Sequence, residues 1–315
     1  AYPMIFIAQV RKDDPVSHQA EAETLLYAEP DSLDPPYPDV RELVRAVGIH
    51  LNTAEVLQPE GWAFLSRDER LIFEKMRQNG IPLGEYAKGK IHYGIKTGCN
   101  EAFMIDGPTR QRLIDEDPAS EEIIRPLLRG RDIRKWRPEF AGRWLICTVH
   151  GTDISLYPAI ERHLRKYKTQ LEKRAPGNYQ WFELQSGSDH SLMNLQRKII
   201  FPDISKEPQF SITDNKNYTI INTCYTIFTD DLTLLGILNS EFVEKFYKNL
   251  SPSIRGGFYR FIYQYVTQIP VPPKQDAKLE SIVIKILNQF DRGGSGKLGN
   301  LMVSLNRAVA ELYNL

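Results

Sequence analysis

Residues 2–11 (YPMIFIAQVR) are apolar until a charged turn ends them, the pattern of a buried strand. Residues 12–39 are polar and proline-rich without periodicity, and read as a loop or linker. A short helix is predicted over 39–47 with Asp39 as N-cap. A second is predicted over 67–79, opened by Ser66 and stopped by Gly80. In 81–106 a glycine-punctuated loop separates two strand-like runs, and 109–128 read as helical with Ser120 opening a second turn. RWLICTV (143–149) predicts a strand. Residues 157–174 predict a helix with Ile160, Leu164, Tyr167 and Leu171 on one face and a strongly basic face opposite. RKIIFPDIS, QFSITD and YTIINTCYTIFT read as strands, with SITDNKNYTI a hairpin that turns at Asp214-Asn215. A helix follows over 234–250, PVPP (270–273) closes this region, and two terminal helices span 278–289 and 298–313. In the last, Leu298, Leu301, Leu305, Val309 and Leu312 recur at helical spacing. The fold class implied is α+β: a mixed, mostly antiparallel β core, helices around it, and a C-terminal helical pair.

Composition narrows the function. Lys and Arg together number 40, as do Asp and Glu, so the 315-residue chain has no formal net charge. Any nucleic-acid surface must come from local segregation of that charge. Cys99, Cys147 and Cys224 are far apart and form no CxxC, which argues against a disulfide framework or zinc site and suits a reducing cytoplasm. No apolar run reaches the roughly 18 residues of a membrane span, and no signal peptide is visible. A chain that opens on a strand of interior character is expected to be part of a longer protein.

Two short motifs suggest catalysis. Asp34-Pro35-Pro36-Tyr37 has the form of the catalytic loop of amino-methylating DNA methyltransferases, in which polar groups bind the target amino group and an aromatic ring stacks on a flipped base. The residues before it contain no glycine to build a cofactor loop, and Pro30 and Pro38 flank it, so a proline-rich loop is the simpler reading. Pro202-Asp203 with Asp214 and Lys216 has the outline of a PD-(D/E)xK nuclease, in which two acids hold Mg²⁺. The six histidines are scattered without HxH or HExxH spacing, and no GxSxG or Walker loop occurs.

Basic residues interleaved with aromatics are the stronger signal. RPLLRGRDIRKWRPEFAGRW brings Arg129, Arg131 and Lys135 close to Trp136. SIRGGFYRFIYQY sets Arg255 and Arg260 beside a glycine pair and Tyr259. Glycine lets a backbone approach a ligand, and arginine forks match phosphates or guanine edges. In GIKTGCNEAF, Lys96, Thr97 and Asn100 read equally as phosphate or base contacts and as the caps of a structural turn.

The segments IHYGIKTGCNEAFMID, IIRPLLRGRDIRKW, RWLI, YPAIERHLRKYKTQLEKR, KIIFPDIS, LLGILNS and IRGGFYRFIYQYVTQIPVP follow one another in order. Together they resemble the TaqI-like C-terminal specificity region of adenine-specific DNA methyltransferases. The likeness is greatest to the type IIG restriction–modification enzymes and related phage-defence methyltransferases. The resemblance implies that residues 1–75 are the edge of a methyltransferase domain with its connector. Residues 76–273 would be the target recognition domain and 274–315 a helical tail. It implies double-stranded DNA and the parent's own N-terminal methyltransferase domain as partners, and no membrane. S-adenosylmethionine, with Mg²⁺ as a further candidate, would belong to the parent, and this part alone would be inactive. Asp34–Tyr37 then falls after the catalytic core. The DNA contacts expected are Lys96, Thr97, Asn100, Arg129, Arg131, Lys135, Trp136, Arg255, Tyr259 and Arg260. The competing readings are an intact small methyltransferase, a Mg²⁺-dependent nuclease, and a protein-interaction module built on the terminal helices.

Overall fold

The computed structural model describes residues 24–28, 39–52, 57–58, 61–62, 64–186, 197–215, 217–254, 256–293 and 298–315. The strand expected at 2–11 and the Asp34–Tyr37 motif lie outside them, as do Lys216 and Arg255. The chain divides into two units, residues 1–78 with Leu315, and residues 79–314.

In the first unit, β1 (Thr24–Tyr27) pairs antiparallel with β2 (Ile49–Asn52). The expected loop over 12–39 therefore contains a strand. Its TLLY sequence is too short to show a period, and the pairing with β2 supplies what local pattern does not. The helix Val40–Val47 is capped by Asp39, whose carboxylate accepts from the Arg41 and Glu42 amides. β3 (Leu57–Gln58) and β4 (Gly61–Trp62) form a small ladder. Ser66 and Glu69 then make a reciprocal capping box that starts the helix Arg67–Asn79.

The second unit is built on two four-stranded sheets. One has the order β12 (Ser211–Thr213), β10 (Lys198–Pro202), β14 (Cys224–Ile227), β6 (Ile91–Tyr93), all antiparallel. The other has the order β13 (Thr219–Ile220), β8 (Ile124–Leu128), β9 (Arg143–Ile146), β7 (Met104–Asp106), with β13 and β8 parallel. β11 (Ile204–Ser205), β16 (Phe258–Arg260) and β15 (Ser253–Ile254) form a third sheet, and β17 (Pro270–Val271) pairs with β5 (Ile81–Pro82). The architecture is the expected α+β class, mostly antiparallel.

Three local expectations change. Residues 124–128 form β8 and not the end of a helix. Pro126 lacks the amide a helix interior needs, and Leu127 and Leu128 are buried between β9 and β13. The expected hairpin at 211–220 does not form, because β12 joins β10 in one sheet and β13 joins β8 in the other. The helix over 234–250 is two helices, Leu232–Leu238 and Glu241–Leu250, broken where Ser240 caps the second and the Asn239 side chain bonds both backbone groups of Phe210.

The core holds Phe103, Leu113, Leu145, Ile160 and Leu164, joining the second sheet to the helix Pro158–Arg165. The terminal helices Ala277–Asp291 and Leu298–Tyr313 pack on each other, and the first also packs on the helix Leu232–Leu238. Of the expected stripe, Leu305 and Val309 are fully buried, whereas Leu298, Leu301 and Leu312 are only partly buried; Tyr313 is also buried, and its hydroxyl donates to the Pro270 carbonyl at 2.6 Å. Among the described residues no helix is long and apolar enough to cross a membrane.

Leu305→Ala removes a side chain with no exposed surface and is expected to destabilise by about 2–5 kcal/mol, measurable by urea unfolding. A second expectation concerns pH. Lys198 is buried in β10 with its ammonium donating to the Tyr218 carbonyl, and burial pulls its pKa down to about 8. From about pH 8 to 10 the unfolded chain binds the proton that the folded chain has lost, so stability rises with pH across this window. Lys198→Met should flatten that rise in urea midpoints.

Candidate nucleic-acid interface

Three of the loops that hold expected site residues converge on one short segment. Between β13 and β14 the chain turns through Ile221, Asn222 and Thr223, and its groups bind three different neighbours. The Ile95 amide donates to the Ile220 carbonyl and the Asn222 amide to the Ile95 carbonyl, both at 2.9 Å. The Gly130 amide donates to the Thr223 hydroxyl at 3.0 Å, and the Asp203 amide to the Thr223 carbonyl at 2.9 Å. Asp203 in turn receives both ends of the Arg260 guanidinium, at 3.1 and 3.2 Å. The loops around Lys96, Arg129–Arg131 and Arg260 thus meet at one end of the first sheet.

Close packing explains the glycines of GIKTG. A Cβ on Gly94 would lie 2.1 Å from the Ile221 carbonyl oxygen, so only glycine lets this loop approach. Gly98 has φ +73°, where side chains are strained, and a Cβ there would meet Arg174 at 2.5 Å. Thr97 is buried; its hydroxyl donates to Asn100 Oδ1 and accepts from the Cys99 amide, which is a local cap. Lys96 and Asn100 keep exposed side chains, and the Lys96 backbone bridges to Ser186.

The cations differ in what they can offer. Arg129 is tied at 2.8 and 2.9 Å to Asp132, a carboxylate only 4% exposed. Lys135 pairs with Glu207 at 3.0 Å and Glu244 at 3.7 Å. Arg131 is exposed and has no ion-pair partner among the described residues, so its charge is available to a phosphate. Trp136 is 1% exposed, with φ +77° and its amide bonded to the Phe210 carbonyl. It sits in the core, where its ring presents no face to a base. Tyr259 is half-buried in β16.

Sequence reading missed the aromatic ladder beside these cations. Phe201, Tyr225 and Tyr93 stand opposite one another on β10, β14 and β6. Ring centroids are 5.3 Å apart for Phe201–Tyr225 and 5.0 Å for Tyr225–Tyr93. The ladder runs from a buried phenylalanine to Tyr93, which is 43% exposed and hydrogen-bonded to Asn222. Burial, and then the Asp203 carboxylate, push the Tyr93 and Tyr225 phenols up, so both remain neutral donors at physiological pH. Only their spacing to Phe201, set by strand register, could have revealed them. Arg174 was also missed. Its guanidinium donates to the carbonyls of Thr97, Leu171, Gln180, Trp181 and Glu183, clamping the Gly94–Gly98 loop to residues 180–183.

The nuclease outline fails on geometry. Asp203 follows the C-terminal end of β10. Asp214 bonds Arg197 at the N-terminal end, and that bond holds its carboxyl below the usual carboxylate range. Six residues of strand separate those ends, about 20 Å at 3.3 Å per residue, too far for one metal ion. No group of three metal-ligating side chains occurs among the described residues.

Residues 125–271 match the TaqI-like C-terminal specificity domain. The chain is 28% identical over 244 residues to the type II methyltransferase M.PaeR7I of Pseudomonas aeruginosa, covering 74% of this chain and 39% of that protein. It is 27% identical over 219 residues to the type II methyltransferase M.BanIII of Aneurinibacillus aneurinilyticus, covering 62% and 37%. Among solved structures, the type IIL restriction–modification enzyme MmeI in complex with DNA shares the fold. Its TM-score is 0.59 at 18% identity, over 74% of this chain and 33% of that one. The chain thus spans about two fifths of the length of the curated relatives it matches.

The two neighbouring arginines should separate in a stability measurement. Arg129→Ala leaves Asp132 buried without its guanidinium and is expected to cost about 1.5–3 kcal/mol. Arg131→Ala should stay within about 0.5 kcal/mol of wild type. Urea midpoints check both.

Proposed function

We propose that this chain recognises duplex DNA sequence-specifically, as the specificity part of an N6-adenine DNA methyltransferase or type IIG restriction–modification enzyme, a reading supported by the match of residues 125–271 to the TaqI-like C-terminal specificity domain. The observation that carries the reading is the convergence of three sequence-distant loops, with an exposed arginine and a tyrosine ladder, on the turn at Ile221–Thr223. In this reading Arg131 and Lys96 neutralise phosphates and set register. Tyr93, Asn222 and Arg260 offer donors and acceptors to base edges. Arg129, Lys135, Tyr259 and Thr97 act behind them by holding the loops, while Asn100 and Arg255 remain candidate contacts. Residues 76–273 form the recognition domain. Residues 1–75 are the C-terminal edge of the parent's methyltransferase domain with its connector, and 274–315 are a helical tail. The setting is cytoplasmic, which the three buried, unpaired thiols suit.

The methyltransferase relatives imply an S-adenosylmethionine-dependent parent. Such a cofactor supplies the methyl group that the target adenine accepts. The chain's GxGxxG spacing, Gly294–Gly299, comes after the helix Ala277–Asp291 in the sequence, where a cofactor loop calls for a preceding strand. The cofactor is therefore assigned to the catalytic domain of the parent, and this chain's part is binding and orientation.

A salt titration on duplex DNA tests the proposal. Affinity should fall steeply with salt, and Arg131→Ala and Lys96→Ala should each lower the log–log slope by about 0.9 on every sequence. Arg260→Ala should instead cost about 1–3 kcal/mol on the preferred sequence and little elsewhere. Unchanged slopes for Arg131→Ala and Lys96→Ala, with unchanged sequence preference for Arg260→Ala and the wild type binding, would place the interface elsewhere. A parent enzyme that keeps its specificity without residues 80–273 would overturn the reading.

A further inference from the structure

A second segregation of positive charge lies outside the loops just described. Residues 158–174 carry six cations against Glu161 and Glu172, a surplus of four in a chain with no net charge. The segment forms the helices Pro158–Arg165 and Lys168–Glu172, which follow each other through a tight bend. One face is spent on the core, where Ile160, Leu164 and Leu171 are buried. Arg162 on the first helix, and Lys166 and Lys173 at the C-terminal ends of the first and second, are exposed. Neither Lys166 nor Lys173 has an ion-pair partner among the described residues. The pairs Arg162–Glu116, Arg165–Glu161 and Lys168–Glu172 are partly exposed and so exchange cheaply. Arg165 and Lys168 also lie over the Trp181 ring, 5.8 and 5.3 Å from its centroid, which keeps both cations at the surface.

We infer that this helical face is a second DNA-contacting surface, one that grips the phosphate backbone beside the recognised sequence without reading bases. The inference rests on the duplex-recognition reading. The surface is coupled to the candidate interface, because Arg174 at its end bonds the Thr97 carbonyl at 2.8 Å. A membrane is a poor fit: an interfacial helix needs its apolar face free, and here that face is buried.

The experiment is a salt titration of the full chain on a random-sequence duplex, comparing wild type, Lys166→Ala/Lys173→Ala and Lys166→Arg/Lys173→Arg. The alanine pair should lower the log–log slope by about 1.8, weaken every sequence alike and leave sequence preference and thermal unfolding unchanged. The arginine pair should keep the wild-type slope. If the alanine pair matches wild type in slope and affinity while the wild type binds, the inference is wrong and the recognition reading stands. If the wild type binds no duplex, both fall. If the alanine pair loses binding only to anionic vesicles or an acidic polypeptide, the surface belongs to another partner and the inference is overturned.

Discussion

The larger unit depends on one run of chain, Thr219–Ile227, that belongs to both of its main sheets. Its first two residues lie parallel to β8, and its last four lie between β10 and β14's other neighbour, β6. Between them the backbone satisfies Ile95 and Asp203, and a side-chain hydroxyl satisfies Gly130. Buried backbone groups must find partners, and here the partners come from three loops remote in sequence. The loops that hold the candidate DNA contacts are therefore placed by the demands of the fold. The proposed recognition surface is assembled on hydrogen-bonded backbone shared by the two sheets.

That arrangement divides the cations by role. A guanidinium held on both nitrogens by a carboxylate, as in Arg129–Asp132, has its geometry fixed and its charge compensated. An exposed arginine two residues away has neither. The first organises a loop and the second can meet a phosphate, although the sequence gives them the same letter. Arg260 combines both states: it is paired to Asp203, which fixes its orientation, yet partly exposed beside Tyr93 and Asn222.

Much of this was legible in sequence where the cause is local. Asp39 and Ser66 act within three residues of themselves, so their caps could be read directly. The terminal helices show their period over four turns. The sequence misled where the cause is remote. A hairpin looked sound at Asp214-Asn215, but its two strands each found a distant partner in different sheets. Trp136 looked like a stacking platform among arginines, whereas its backbone bridges to Ser211 and carries the ring inward. Arg174 drew no attention because its partners are backbone carbonyls, which have no signature in a sequence.

The parallel pairing of β8 with β13 also has a consequence for synthesis. About 90 residues separate the two strands, and a ribosome adding roughly 5–20 residues per second leaves several seconds between their emergence. Until β13 arrives, one edge of β8 is unpaired, with Leu127 and Leu128 lacking their cover. Such an edge is a template for joining another nascent chain. Pro126 in the middle of β8, which offers no amide to such a neighbour, shortens the run that could pair wrongly while the nascent chain waits.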